Sequence, residues 1–131
     1  MKTRSCKSKG AKLQNEVKEI IDTRFPELKE GEDYRSAIMG EKGVDVKLTS
    51  VNARRVLPYS IECKYQEKTS IWAWLNQAKE NAELESNKWK VKMEPMLIFR
   101  RNRGISYTCV RTEVYFDLLR LVETYRGLNN E

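Results

Sequence analysis

Asp45, Glu62 and Lys64 are the side chains on which this chain could run chemistry. They sit in two stretches, Gly43-Val44-Asp45-Val46-Lys47-Leu48 and Pro58-Tyr59-Ser60-Ile61-Glu62-Cys63-Lys64-Tyr65-Gln66. Both alternate as half-buried strands do. Tyr59, Ile61, Cys63 and Tyr65 share one face of the second stretch, and Ser60, Glu62, Lys64 and Gln66 the other. If the strands are neighbours, Asp45, Glu62 and Lys64 project from one side of one sheet. Two carboxylates there can hold a hard divalent cation beside an amine that handles water. An acid two residues before a lysine recurs at Glu16/Lys18, Glu27/Lys29 and Asp45/Lys47. By itself, then, the tripeptide also reads as a polar strand face with a cross-strand ion pair.

Composition narrows the chemistry. The chain has 131 residues and no histidine, which removes Ser-His-Asp and Cys-His hydrolases and every site that needs imidazole. Hydrolysis here must run on carboxylates, lysine and a metal. Cys6, Cys63 and Cys109 are an odd, scattered set; this suits reduced thiols in a cytoplasm and argues against a Cys/His zinc site. No apolar run reaches membrane-spanning length, and Met1–Ser5 has no apolar segment behind it, so it does not read as a secretory signal. The net charge of +6 suits a polyanionic partner.

The elements that must position the three residues follow from periodicity. Residues 1–11 read as a flexible basic arm, 12–127 as one domain and 128–131 as a fraying end. A helix is expected from about Lys12 to Phe25, with Leu13, Val17, Ile20, Ile21 and Arg24 inward and Pro26 ending it. Glu16 borders that stripe. A short strand near Tyr34–Ile38 and strand Gly43–Thr49 come next, then a loop over Ser50–Leu57 and strand Tyr59–Gln66. Ser70 would cap a helix from Ile71 to about Glu85, with Ile71, Leu75, Ala78 and Ala82 inward and Gln77 on the flank. Trp72 and Trp74 are assigned to packing, and Trp89 to a lysine-flanked loop as a surface anchor or a base-stacking platform. Met96–Phe99 reads as a central strand, Arg100–Gly104 as a turn and Ile105–Val110 as its hairpin partner. A last helix from Thr112 would turn Val114, Tyr115, Leu118, Leu119, Val122 and Tyr125 inward. The sum is an α/β sandwich around a mixed sheet of four or five strands.

This order resembles the PD-(D/E)XK nuclease superfamily, and within it the small phage-type and archaeal-type Holliday junction resolvases and their nicking relatives. The segments that carry the likeness are Lys7–Glu16, Met39–Asp45, Ser60–Lys64 and Phe99–Asn102. Val44 stands where the family usually has proline, and Cys63 occupies the variable position of the motif. The resemblance implies a restriction-endonuclease-like αβββαβ core in a sheet flanked by helices, and a Mg²⁺- or Mn²⁺-dependent endodeoxyribonuclease. It implies that Asp45, Glu62 and the Cys63 backbone carbonyl bind the metal, with Glu16 holding a second ion, directly or through water. Lys64 would orient the attacking water, and Gln77 matches a glutamine found in many members. The products would carry a 5′-phosphate and a 3′-hydroxyl.

The expected partner is branched or duplex DNA, gripped through Lys7, Lys9, Lys12, Arg35, Lys68, Arg100, Arg101 and Arg103. Two coordinated cuts at a junction imply a homodimer, acting in recombination in a host cytoplasm if the chain is phage-encoded. The alternatives are a phage nicking or general DNA-processing endonuclease of the same fold, a non-catalytic nucleic-acid-binding domain, and an RNA-binding module.

Overall fold

The computed structural model describes residues 4–38 and 40–129, with side chains in the first helix described from Ser8 onward. Met1–Thr3, Met39, Asn130, Glu131 and the side chains of Cys6 and Lys7 lie outside it. Helix α1 spans Arg4–Arg24, eight residues earlier than expected. Residues 4–9 hold no proline, and Gly10 costs a helix only about 1 kcal/mol against alanine, so the described part of the basic arm is helical. Leu13, Val17 and Ile21 are buried, whereas Ile20, assigned inward, is half exposed.

Five strands follow: β1 Tyr34–Ser36, β2 Val46–Leu48, β3 Tyr59–Tyr65, β4 Glu94–Arg100 and β5 Tyr107–Cys109. They form one mixed sheet in the order β1-β2-β3-β4-β5. Only β3 and β4 are parallel, and the connection between them is helix α3, Ile71–Trp89. Leu13, Val17 and Ile21 of α1 pack on the sheet face that carries Val46, Leu48, Ile61, Cys63 and Ile98. Helix α3 covers the opposite face: Trp74, Ala78 and Ala82 are buried, and the Trp74 ring tilts against Phe99 at 6.1 Å. Leu97, pairing with Glu62 on this side, is fully buried.

Three expected features differ. The Ser50–Leu57 link is not a loop but a short helix, α2 (Val51–Val56), capped by the Ser50 hydroxyl accepting from the Ala53 N–H. Trp89 ends α3 rather than lying in a loop. It is held by its indole N–H on Glu85 and by the Arg54 guanidinium stacked 3.7 Å from its ring centre. Trp72 is not packed; it is 78% exposed.

The largest departure is helix α4, Thr112–Asn129, which has no buried residue. Tyr115, Leu118, Leu119, Val122 and Tyr125, all assigned inward, are exposed. The periodicity is right, but among the described residues no element lies against that face. The direction of α4 is fixed at its root, where Arg111 makes a two-pronged ion pair with Glu94 at the start of β4 (2.8 and 2.9 Å).

Candidate active site

The site arises where β2 parts from β3. The two strands pair only at Val46 and Ile61. One step further Asp45 and Glu62 stand opposite each other, both on the α3 face of the sheet. The Asp45 N–H still donates to the Ile61 carbonyl, but the Cys63 N–H donates to the Asp45 carboxylate at 2.7 Å. A side chain therefore replaces a strand partner at the point where the ladder opens. In a β-strand the N–H and C=O of one residue point to the same side. The Cys63 carbonyl therefore also turns toward the β2 side, where the ladder opens. The expected trio does share a face: Lys64 follows two residues after Glu62 and its charge acts on both acids.

Burial dominates the electrostatics. Glu62 is 2% exposed, and burial followed by the neighbouring Asp45 charge pushes its carboxyl up to about 7, against the opposing pull of Asn81 and Lys64. Burial also raises Asp45, although the Cys63 N–H and Lys64 oppose it. The two carboxyls lie within hydrogen-bonding reach of each other and can share one proton as a pair. Burial likewise pushes the Cys63 thiol upward; its side chain belongs to the α1-face core and is no nucleophile.

Glu62 is buried and Asp45 half-buried, and it is chiefly this removal from water that raises both carboxyls and leaves them able to gain from a nearby positive charge. Oxygen ligands from two carboxylates plus a backbone carbonyl suit Mg²⁺ or Mn²⁺, which keep several waters and need few protein ligands. Among the described residues no group of three or more His, Cys, Asp or Glu side chains converges. Asp45, Glu62 and the Cys63 carbonyl are the oxygen donors that could hold a cation here.

Glu16 is not brought to this pair. It pairs with Arg100, whose guanidinium lies 4.6 Å from the Tyr65 ring centre, on the α1 face of the sheet. The wheel correctly placed Glu16 at the edge of the α1 stripe, but that edge faces away from Asp45 and Glu62.

Gln77 is exposed. Its place is taken one turn later by Asn81, whose amide donates to the Glu62 carboxylate at 3.1 Å and weakly to the Gly43 carbonyl at 3.4 Å. Asn81 was missed because an asparagine within a helix carries no spacing signal. Its i+4 relation to Gln77 and i+7 relation to Trp74 were the available clue. Gly43 could not be replaced easily: its φ is +97°, and a Cβ there would lie 3.1 Å from Lys47 Nζ. If Glu62 holds a cation, Asn81→Ala should lower the apparent Mn²⁺ affinity 10- to 100-fold, as loss of a ligand-orienting partner does. An unchanged affinity would show that Asn81 does not orient Glu62.

The expected DNA contacts divide. Lys12, Lys68, Arg101 and Arg103 are exposed. Lys68 follows β3 and the two arginines follow β4, and the loops are tied by the Asn102 N–H on Glu67 at 2.7 Å. Lys9 lies 5.7 Å from the Tyr65 ring centre. Arg35 is held by both oxygens of Glu41 and Arg100 by Glu16, so neither is a free phosphate ligand. Among the described residues no helix is long and apolar enough to cross a membrane. Compared with family models, curated proteins and solved structures, the chain finds no match.

Proposed function

We propose that this protein is a metal-dependent endodeoxyribonuclease with a restriction-endonuclease-like core, acting on branched DNA of the Holliday junction type. The observation that carries this reading is the Asp45–Glu62 pair, a half-buried and a buried carboxyl opposite each other at the opening of the sheet, with Lys64 on the same face. Asp45, Glu62 and the Cys63 carbonyl would hold Mg²⁺ or Mn²⁺. A cation bound there lowers the pKa of water and offsets charge on the scissile phosphate.

The chain's own residues do the rest. Asp45 is fixed by the Cys63 N–H and Glu62 by Asn81, so both acids are set before substrate arrives. Lys64, two residues along the strand, orients the attacking water and balances charge gathering at phosphorus. With no imidazole in the chain, the proton of that water leaves to solvent or to a phosphate oxygen. Lys68, Arg101 and Arg103, on the tied loops beyond β3 and β4, grip backbone phosphates without reading bases.

The test is incubation of purified protein with a labelled four-way junction and a linear duplex, with Mn²⁺ and with chelator. Metal-dependent cutting of the junction in preference to the duplex is expected. No cutting, or cutting that survives the chelator, would overturn the proposal, and equal cutting of both substrates would replace a resolvase by a general endonuclease. If the three loop cations each neutralise one phosphate, changing all three to alanine should flatten the log–log salt dependence of duplex binding by about 2.7 (about 0.9 per contact). An unchanged slope would move the DNA contact elsewhere.

A further inference from the structure

Helix α4 and the groove beside its root have matching chemistry. The groove, about 700 Å³, runs between α3 and strands β4 and β5 and is lined by Leu75, Ala78, Ala82, Pro95, Leu97 and Val110, among others. Two alanines on the α3 wall leave room for another backbone to approach closely. The helix offers the converse. At about 100° per residue, Val114, Tyr115, Leu118, Leu119, Leu121, Val122, Tyr125 and Leu128 fall within one half of its circumference, which Arg126 and Asn129 interrupt only near the end of the helix. Seven of them are individually 40–67% exposed, and the eighth, Val114, is partly buried. A monomer rarely leaves so continuous an apolar face in water.

We propose that two copies of this chain form a dimer by reciprocal exchange, each inserting α4 into the α3/β4/β5 groove of the other. Three features favour a second copy as the occupant. The helix starts at the groove's own rim, because Val110 and Arg111 line the groove and α4 begins at Thr112. The Arg111–Glu94 ion pair holds that root, and a two-residue connection after β5 directs α4 away from its own groove; such short hinges favour exchange. The charges are also compatible. Asp117 and Glu123 border the apolar half of α4 and Arg126 lies near its edge, and the groove lining likewise carries both signs, Lys79 and Lys92 beside Glu83.

The area is sufficient as well. Eight apolar side chains burying on the order of 100 Å² each give roughly 800 Å² per protomer, which is what a standard stable interface takes from each partner. Because α4 contributes nothing buried to its own protomer, its apolar face can be altered without disturbing the fold. This inference is independent of the nuclease reading.

The test uses three full-length proteins in sedimentation velocity: the natural chain, the helix variant Leu118→Glu/Val122→Glu, and the groove variant Leu75→Arg. The natural chain is expected to be dimeric at micromolar concentration. Each variant alone should be monomeric or weakened at least 100-fold, with unchanged far-UV circular dichroism. Mixed, the two variants should form a heterodimer, since one intact helix still meets one intact groove. A monomeric natural chain at 50 µM (about that order suffices for a standard interface) would overturn the proposal. So would a groove variant that dimerises as well as the natural chain, because the helices would then be pairing with each other. If Leu75→Arg is misfolded by circular dichroism, Lys79→Glu/Lys92→Glu on the exposed rim takes its place, with weakened dimerisation expected and an unchanged dimer counting against the exchange.

Discussion

Glu62→Gln should abolish metal-dependent cleavage, with a loss of at least ~10³-fold, equivalent to about 4 kcal/mol of transition-state stabilisation. The amide keeps the shape of the side chain and can still accept from Asn81. It removes the negative charge that would hold the cation at the Asp45 pair. Lys64→Ala should cost a similar factor for a different reason: the acids remain and metal binding persists, but the amine that would orient water and balance charge at phosphorus is gone. Lys47, whose charge also reaches Asp45, is engaged by Lys42 and Glu41. The two variants therefore separate in metal titration, where Glu62→Gln binds Mn²⁺ poorly and Lys64→Ala binds it nearly as the natural chain does. Both should still bind the junction. Undiminished cutting by either variant would remove Asp45–Glu62–Lys64 from consideration as an active site.

The metal-free protein should lose stability as pH rises from about 4.5 to 7, which is the reverse of an acid held by a salt bridge. The sign follows from proton counts. Glu62 ordinarily titrates at 4.5 and is pushed up to about 7 in the fold. In that window the folded state holds a proton that the unfolded state has released, so raising the pH favours unfolding. For a group 2% exposed the loss amounts to roughly 3 kcal/mol, on the order of 10 °C in melting temperature for a domain of this size.

Glu41, drawn down to about 2 by Arg35, and Glu94, lowered by Arg111, act in the opposite sense but at more acid pH. Excess Mn²⁺ should stabilise the protein more at pH 8 than at pH 5, because the cation takes the place of the shared proton. Glu62→Gln should flatten the metal-free profile and melt higher than the natural chain at pH 8. Differential scanning calorimetry across this range decides it: a melting temperature flat or rising from pH 5 to 7 would mean the pair is not strained as described.

How far the sequence carried depended on the range of the interactions involved. Strict alternation around Ile61 and Val46 placed Asp45, Glu62 and Lys64 on one face, because a pleat has a fixed period and a buried face admits only one register. The order of strands and helices, and the inner residues Leu13, Val17, Ala78 and Ala82, were legible for the same reason. Contacts set by tertiary placement were not. Glu16 sat on the correct edge of its helix stripe, yet which end of the sheet that edge meets depends on the path of the whole chain. Arg35 and Arg100 read as free cations because their partners, Glu41 and Glu16, are 6 and 84 residues away. Periodicity showed that α4 has an apolar face without showing whether this chain supplies the surface to cover it.

In the proposed mechanism Asp45 would have two duties at once, and this affects how such an enzyme would be disarmed. Its carboxylate is also the acceptor that closes the backbone of Cys63 where the neighbouring strand departs. Truncation to alanine would strand a partly buried amide hydrogen, at a cost of about 1–3 kcal/mol, so a dead Asp45→Ala protein would report a loosened strand as much as a lost ligand. Asparagine, with its carbonyl oxygen turned to the same amide, keeps the seam shut while removing the charge. An inactive yet intact version of this molecule, suited to trapping its substrate, is therefore better built with an amide at position 45 than with a smaller side chain.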